Sequence, residues 1–306
     1  MESVHDRSPR NVYATVTAEI IRAIESGLSG ECRMPWHRHS ADGLPVNVFT
    51  GRPYHGLNTL SLWVAAQAKG YPTPYWATYR QWNEIGAQVR MKEKSSPVLF
   101  YKELPPDGEA DPDAGIAEGK HRFVARLSHV FNADQVDGWP APGIPPASDK
   151  TERIAEAERF IRGLGARIRY GGSHAYYSRV SDHIQMPERS SFVGTETSSP
   201  TESFYSVLLH EHIHWSGHPS RLDRDLSGRF GESAYAMEEL VAELGAAFLC
   251  GELRIADSPR KDHALYLRSW LPVLKEQPTA LAVAASTATK ACLYLRERAG
   301  SKREAA

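Results

Sequence analysis

The sequence lacks long apolar runs, paired cysteines and any excess of charge of one sign. Its 306 residues hold three cysteines, Cys32, Cys250 and Cys292, far apart and in no C-x-x-C pair. That excludes a disulfide framework and a cysteine-based zinc site, and fits reduced, buried thiols. No apolar stretch approaches the ~20 residues of a membrane helix. The first residues, MESVHDRSPR, carry no short apolar segment of the secretory kind. A cytoplasmic protein with no membrane partner is therefore expected. Lys and Arg number 36 against 37 Asp and Glu, a formal net charge of −1. That balance excludes a uniformly basic nucleic-acid coat and an acidic disordered tail. What is present suits a globular chain of one large or two ordinary domains, because 41% of the residues are hydrophobic and can fill a core.

The charge is unevenly spread. Residues 1–137 hold 15 Lys/Arg and 16 Asp/Glu, but six of the acids fall in one stretch, ELPPDGEADPDAGIAE. Without it the first part has 15 basic residues against 10 acidic ones. The stretch lies between two strand-like runs, 97–102 and 121–131, so a long acidic loop (103–120) at the end of a β-hairpin is expected. Four prolines, Pro140, Pro142, Pro145 and Pro146, mark 138–150 as a stiff linker. We therefore divide the chain into 1–137, the linker 138–150, and 151–306. Before the hairpin, three helices are expected. The first covers 12–26 and the second 57–69, ending at Gly70. The third opens at Thr78 with a capping box to Gln81 and ends at Gly86. After the linker come a helix over 151–163, short strands near 166–170, 175–178 and 183–186, two longer helices, and a helical region from about 260 to 298. The pattern is α+β. Asp182 to Pro187 reads as an edge strand, with Pro187 ending it, and an edge strand beside a metal site can take an extended peptide.

The sharpest motif is His210-Glu211-His212-Ile213-His214. It contains H-E-x-x-H. On a helix, His210 and His214 stand one turn apart on one face, as two ligands of a tetrahedral Zn²⁺ would, and Glu211 sits beside them to take a proton from water. The same residues also form H-x-H-x-H, which on a strand would turn all three histidines to one side. Local signals favour the helix. Ser199-Pro200-Thr201-Glu202 is a capping box with Pro at the first helical position, and Gly217 supplies a stop. His218 is too near to complete the set, and Ser220 stands where a third histidine would be sought. A better source is AYAMEELVAELGAAFLC (234–250). There Glu239 and Glu243 share one helical face among apolar residues, where buried carboxylates need partners. Glu239 is the candidate third ligand and Glu243 an acceptor for a ligand histidine's other N–H. Glu238 is expected to face away from that pair. The competing reading is a solvated acidic face. Tyr235 and Arg221 are candidates to stabilise an oxyanion or contact substrate. The site would also accept Mn²⁺ or Co²⁺.

Aromatic and basic residues interleave in the first part. Five of the seven tryptophans lie in it or at its edge, although Trp63 and Trp82 sit at core spacing. Arg38 lies beside Trp36, Arg52 flanks Tyr54 in a glycine-containing loop, Arg80 follows Tyr79, and Arg90, Lys92 and Lys94 form a short basic run. Rings for bases and cations for phosphates are what single-stranded DNA requires, although a run such as RMKEK also suits a solvated turn.

Several ordered blocks resemble one family. HEHIHWSGHPSRL and YAMEELVAELGAAFL are similar to the zincin-like metallopeptidase domain of the ArdC antirestriction proteins of conjugative plasmids. PWHRHS, LPVNVFTGRPYHGLN, WATYRQWNEIGAQVR, PVLFYK and VFNADQVDG resemble that family's N-terminal domain, also found in TraC-type primases. The resemblance implies an N-terminal single-stranded-DNA-binding domain followed by a zincin-like domain. It implies a role in protecting incoming plasmid DNA from host restriction. It also supports His210, His214 and Glu239 as ligands and Glu211 as the catalytic-type glutamate. Two alternatives remain at this stage. One is a zinc peptidase brought by DNA to a host protein substrate; the other is a DNA-binding protein whose metal is structural. A monomer is the working expectation.

Overall fold

The computed structural model describes residues 16–22, 25, 43–104, 122–140, 150–194, 198–226, 233–255, 270–272, 274–277 and 279–301. The acidic loop beyond Leu104, most of the proline-rich linker and Arg38 lie outside them.

Apolar spacing builds the first half. Residues 16–22 are helical, within the expected 12–26. Helix α1 (Leu57–Lys69) buries Leu57, Leu60, Trp63 and Val64. It ends where Gly70 adopts φ +71°, a left-handed conformation that glycine takes at no steric cost, and the Gly70 N–H donates to the Ala66 carbonyl. Helix α2 (Tyr79–Glu84) opens with the Thr78–Gln81 capping box, both bonds formed. Trp82 is fully buried and its indole N–H donates to the Phe131 carbonyl.

The strands are β1 (Val46–Asn47), β2 (Arg52–Pro53), β3 (Tyr75–Ala77), β4 (Gln88–Val89), β5 (Ser96–Leu104), β6 (Arg122–Asn132) and β7 (Val136–Asp137). Five of them form a mixed sheet in the order β2-β1-β3-β6-β5. The expected hairpin is β5–β6, antiparallel from Ser96↔Val130 to Leu104↔Arg122.

The second half packs helices against a small sheet. Helices α3 (Lys150–Leu164), α4 (Pro200–Ser216), α5 (Ser233–Leu253) and α6 (Ala280–Ser301) surround a core rich in Leu and Ala. Strands β8 (Ile168–Tyr170), β9 (Tyr176–Ser178) and β10 (His183–Met186) form a sheet in the order β8-β10-β9. The edge-strand reading of 183–186 is thereby corrected. β10 is the central strand, parallel to β8 and antiparallel to β9. Pro187 stands just past the last pairing, so its missing N–H ends the strand without requiring an edge. Among the described residues no helix is long and apolar enough to cross a membrane.

Candidate metal centre

The H-E-x-x-H segment is helical. Ser199 caps α4, accepting from the Glu202 N–H, while Glu202 accepts from the Ser199 N–H, and Pro200 occupies the first turn. The helix runs unbroken to Ser216, with Gly217 as its C-cap. Helical rotation separates the three histidines. His212 turns to the core, shares a 2.7 Å hydrogen bond from its Nδ1 to the Leu208 carbonyl, and is pushed down to about 4 by burial, which that bond only partly offsets. It is therefore a neutral core residue, and the H-x-H-x-H strand reading falls away.

His210 and His214 face one another, with their Nε2 atoms 3.1 Å apart. Glu239, on α5, completes the group: its Oε2 lies 3.5 Å from His210 Nε2 and its Oε1 3.5 Å from His214 Nε2. One ligand atom from each of the three lies within 4.8 Å of the others. Glu211, between the histidines in sequence, is 2% exposed. The expectation that Glu238 faces away from the site is corrected. Glu238 Oε1 accepts from His214 Nδ1 at 3.1 Å. Arg224 holds that carboxylate with two further bonds, Nη2 to Oε1 at 2.8 Å and Nε to Oε2 at 3.1 Å. Arg224 also donates to the Ser216 hydroxyl and the Ile213 carbonyl, tying the end of α4 to α5. Glu243 Oε2 lies 3.7 Å from His210 Nδ1. The site is thus two imidazoles, each with its Nδ1 turned to a carboxylate and its Nε2 turned to Glu239.

Charge in this pocket favours a positive centre. Burial alone would disfavour a protonated His214, but Glu239 and Glu238 beside it raise its pKa to about 10. Burial would likewise raise Glu239, yet His214 and His210 hold it far below the usual carboxylate range. With Nδ1 of His214 turned to Glu238 and Nδ1 of His210 on the Glu243 side, both Nε2 atoms point at one spot beside a carboxylate. Two Zn-bound nitrogens at ~2.0–2.1 Å in a tetrahedron stand roughly 3.3 Å apart, close to the spacing here. Glu239 Oε2 and His210 Nδ1 are buried without a hydrogen bond, as a coordinating oxygen and a loosely held outer contact would be. The residues fit a divalent ion.

The remaining candidates distribute differently. Tyr235 is half-buried, one turn before Glu239 on α5. Arg221 is committed elsewhere: it pairs with Asp182, donates to the Trp215 carbonyl and covers the Trp215 ring at 4.0 Å. An oxyanion role for it is not supported by this placement. Tyr54 is a core residue, 6% exposed, its hydroxyl accepting from Asn47 Nδ2 at 3.0 Å. It offers no face to a base, because Leu62, Trp76 and Val98 cover it. Arg52 lies exposed on the edge strand β2, three residues after exposed Phe49. Arg80 is paired with Glu84 at 2.7 Å, and Arg90 with Glu93 at 3.1 Å and Asp137 at 3.5 Å. Lys92 and Lys94 are exposed, Lys92 at φ +68° in the turn after β4. Among the described residues Arg52, Lys92 and Lys94 enter no ion pair, whereas Arg80 and Arg90 sit in local ion pairs.

Comparisons with known proteins extend over nearly the whole chain. Residues 10–131 match the family model of the N-terminal domain of anti-restriction factor ArdC, and 155–287 match a zincin-like metallopeptidase model. An uncharacterized protein, y4eC, of Sinorhizobium fredii (strain NBRC 101917 / NGR234) is 47% identical, the alignment covering 92% of this chain and 90% of that protein. The DNA primase TraC of Escherichia coli is 33% identical over 91% of this chain, which spans only 26% of the primase. The crystal structure of metal-free antirestriction ArdC protein from plasmid R388 superposes with a TM-score of 0.75 at 35% identity, covering 94% of this chain and 98% of that one. Its Mn(II)-bound form gives 0.73 at 34% identity, with 94% and 97% covered.

Proposed function

Because this chain belongs to the ArdC antirestriction family, we propose that it protects incoming plasmid DNA from host restriction in the recipient cytoplasm. In this reading residues 1–137 bind single-stranded DNA, 138–150 join the halves, and 151–306 carry a metal-dependent hydrolytic centre. The observation that carries the second part is the convergence of His210, His214 and Glu239 within 4.8 Å on two buried helices. Exposed cations at Arg52, Lys92 and Lys94, on a first half that is basic apart from its acidic loop, support the first part.

His210, His214 and Glu239 would hold the ion, Zn²⁺ or its substitutes Mn²⁺ and Co²⁺. Such an ion supplies Lewis acidity at a peptide carbonyl. The chain's own residues do the rest. Glu243 and Glu238 fix the imidazole rings with Nε2 unprotonated toward the centre. Glu211 takes the proton from the attacking water and returns it to the leaving amine. Tyr235, one turn from Glu239, is the residue we assign to donate to the developing oxyanion. The substrate in this reading is a protein of the restriction machinery.

Glu211→Gln and His210→Ala, compared side by side in the full chain, test it. We expect Glu211→Gln to lower peptide hydrolysis by about 10²-fold or more with DNA affinity unchanged, since it removes the base and little else. Loss of DNA protection in the same variant ties hydrolysis to function. If Glu211→Gln protects DNA fully while His210→Ala unfolds the second half, the metal is structural and the hydrolytic part of the proposal is rejected.

A further inference from the structure

The outer face of the three-stranded sheet is basic, carries an exposed ring, and has no part in the metal centre. From residue 159 to 181 the chain has five arginines, Arg159, Arg162, Arg167, Arg169 and Arg179, and no Asp or Glu. Strand alternation sorts the sheet's side chains to two faces. Ile168, Ile184 and Tyr177 stand opposite one another across the three strands, and all pack into the core. The next row, Arg169, Gln185 and Tyr176, is also in direct register and so lies on the other face. Arg167 and His183, each two residues earlier on its strand, extend that face. The Tyr176 ring meets His183 edge-on with centroids 6.2 Å apart. Burial and then the positive charges of Arg169 and Arg167 lower the His183 pKa.

Of these cations, Arg162 lies 3.8 Å from Glu158. Among the described residues, Arg167, Arg169 and Arg179 enter no ion pair; Arg167 donates to the Ser181 carbonyl. Asp182, the acid that follows Arg179, is held by Arg221 and Tyr177. Tyr176 is 49% exposed. Guanidinium groups suit phosphate oxygens, and an open tyrosine face suits an unstacked base. An acidic peptide would answer the arginines and leave the ring unused; duplex DNA keeps its bases stacked on one another.

We propose that this sheet face, through Arg167, Arg169 and Tyr176, is a second contact surface for single-stranded nucleic acid, on the half of the chain that carries the metal centre. It goes beyond the reading above, which assigns DNA contacts to the first half alone.

The test uses the full chain and a fluorescein-labelled 20-mer of deoxythymidine, titrated by anisotropy at several salt concentrations. Arg167→Ala/Arg169→Ala should weaken binding about 10-fold at low salt. It should also flatten the log K against log [salt] slope by about 1.4, as expected for two lost single-strand phosphate contacts. Tyr176→Ala should weaken binding about five-fold or more, and Tyr176→Phe should restore it. An oligonucleotide carrying 5-iododeoxyuridine should photo-crosslink to the peptide containing Tyr176. Arg52→Ala/Lys92→Ala separates the two readings. If that variant loses affinity, the sheet variants bind like wild type and all adducts map before residue 138, this inference is overturned while the first-half reading stands. If the sheet variants lose affinity for poly-glutamate and keep it for the oligonucleotide, the face serves acidic proteins and the inference fails. No binding of the oligonucleotide by the wild-type chain overturns both.

Discussion

Glu238 and Glu239 are chain neighbours that serve the same pair of histidines from different sides. Adjacent helical residues diverge by ~100°, so both can reach a site only if it wraps around the helix face. Glu239 sits 3.5 Å from each Nε2, and Glu238 takes the outer Nδ1 of His214. Burial would raise the Glu238 pKa, but His214 and Arg224 hold it below the ordinary carboxylate range. It is therefore a charged acceptor that fixes the ring. Either Glu238→Gln or Arg224→Ala should weaken divalent-metal affinity by about 10- to 100-fold, measured by competition with a chromophoric chelator. Unchanged affinity would show that the network braces only the fold. Glu239 and Glu243 were legible because i,i+4 spacing put two carboxylates on one apolar helix. Glu238 was not, because its partner Arg224 stands 14 residues earlier, in the segment between the two helices, and helical spacing says nothing about it. Tyr54 shows the opposite failure: an Arg-flanked aromatic in a loop resembles a base platform until its neighbours cover it.

At the scale of elements, helix ends were the most legible part. Ser199-Pro200-x-Glu202 satisfies its own orphan N–H groups, so α4 begins where the sequence says, and Gly70 ends α1 for an equally local reason. Pairing order was not local. β10 reads as an edge because of Pro187, yet it is central because β8 and β9 both reach it before that proline. The packing of α4 on α5 was also hidden. A Cβ at Gly245 would lie 2.6 Å from Ile213 Cδ1 and 2.7 Å from its Cγ1. Ile213 lies between the two ligand histidines in sequence and Gly245 six residues after Glu239. Close helix approach at this point sets how near the imidazoles come to the carboxylate. Ile is stiff at χ1 in a helix and cannot simply swing away. Gly245→Ala should therefore force the helices apart, with overpacking costing about 1–3 kcal/mol against a small gain in helix propensity. The expected readouts are a lower denaturation midpoint and weaker metal binding in the same variant. A midpoint at or above that of the parent chain would mean that Ile213 repacks freely.

Across the whole molecule the two halves meet in one core. Leu57, Leu60, Trp63, Val64 and Leu99 from the first half belong to the same buried cluster as Phe248, Leu249, Ala285 and Ala288 from the second. The proline-rich segment suggested a division, and the α1 pattern showed a buried face, but no periodicity names the surface that covers it. That surface is the end of α5. The Trp63 ring lies 6.1 Å from the Phe248 ring, its indole N–H donates to the Gly43 carbonyl at 3.2 Å, and a Cβ at Gly251 would lie 3.2 Å from Trp63 Cζ2. The helix that carries Glu239 and Glu243 therefore ends against a tryptophan of the first half. Removing that ring leaves a cavity at the junction, and large-to-small core changes of this kind cost about 3–5 kcal/mol. Trp63→Ala should lower stability by that order in urea unfolding. Because the cluster is shared, the loss should reach both halves. Near-ultraviolet circular dichroism and the release of bound metal should then follow one transition at a reduced midpoint. Two separated transitions, with metal release unmoved by the substitution, would show that the halves are stable independently and that their contact transmits nothing to the metal helices.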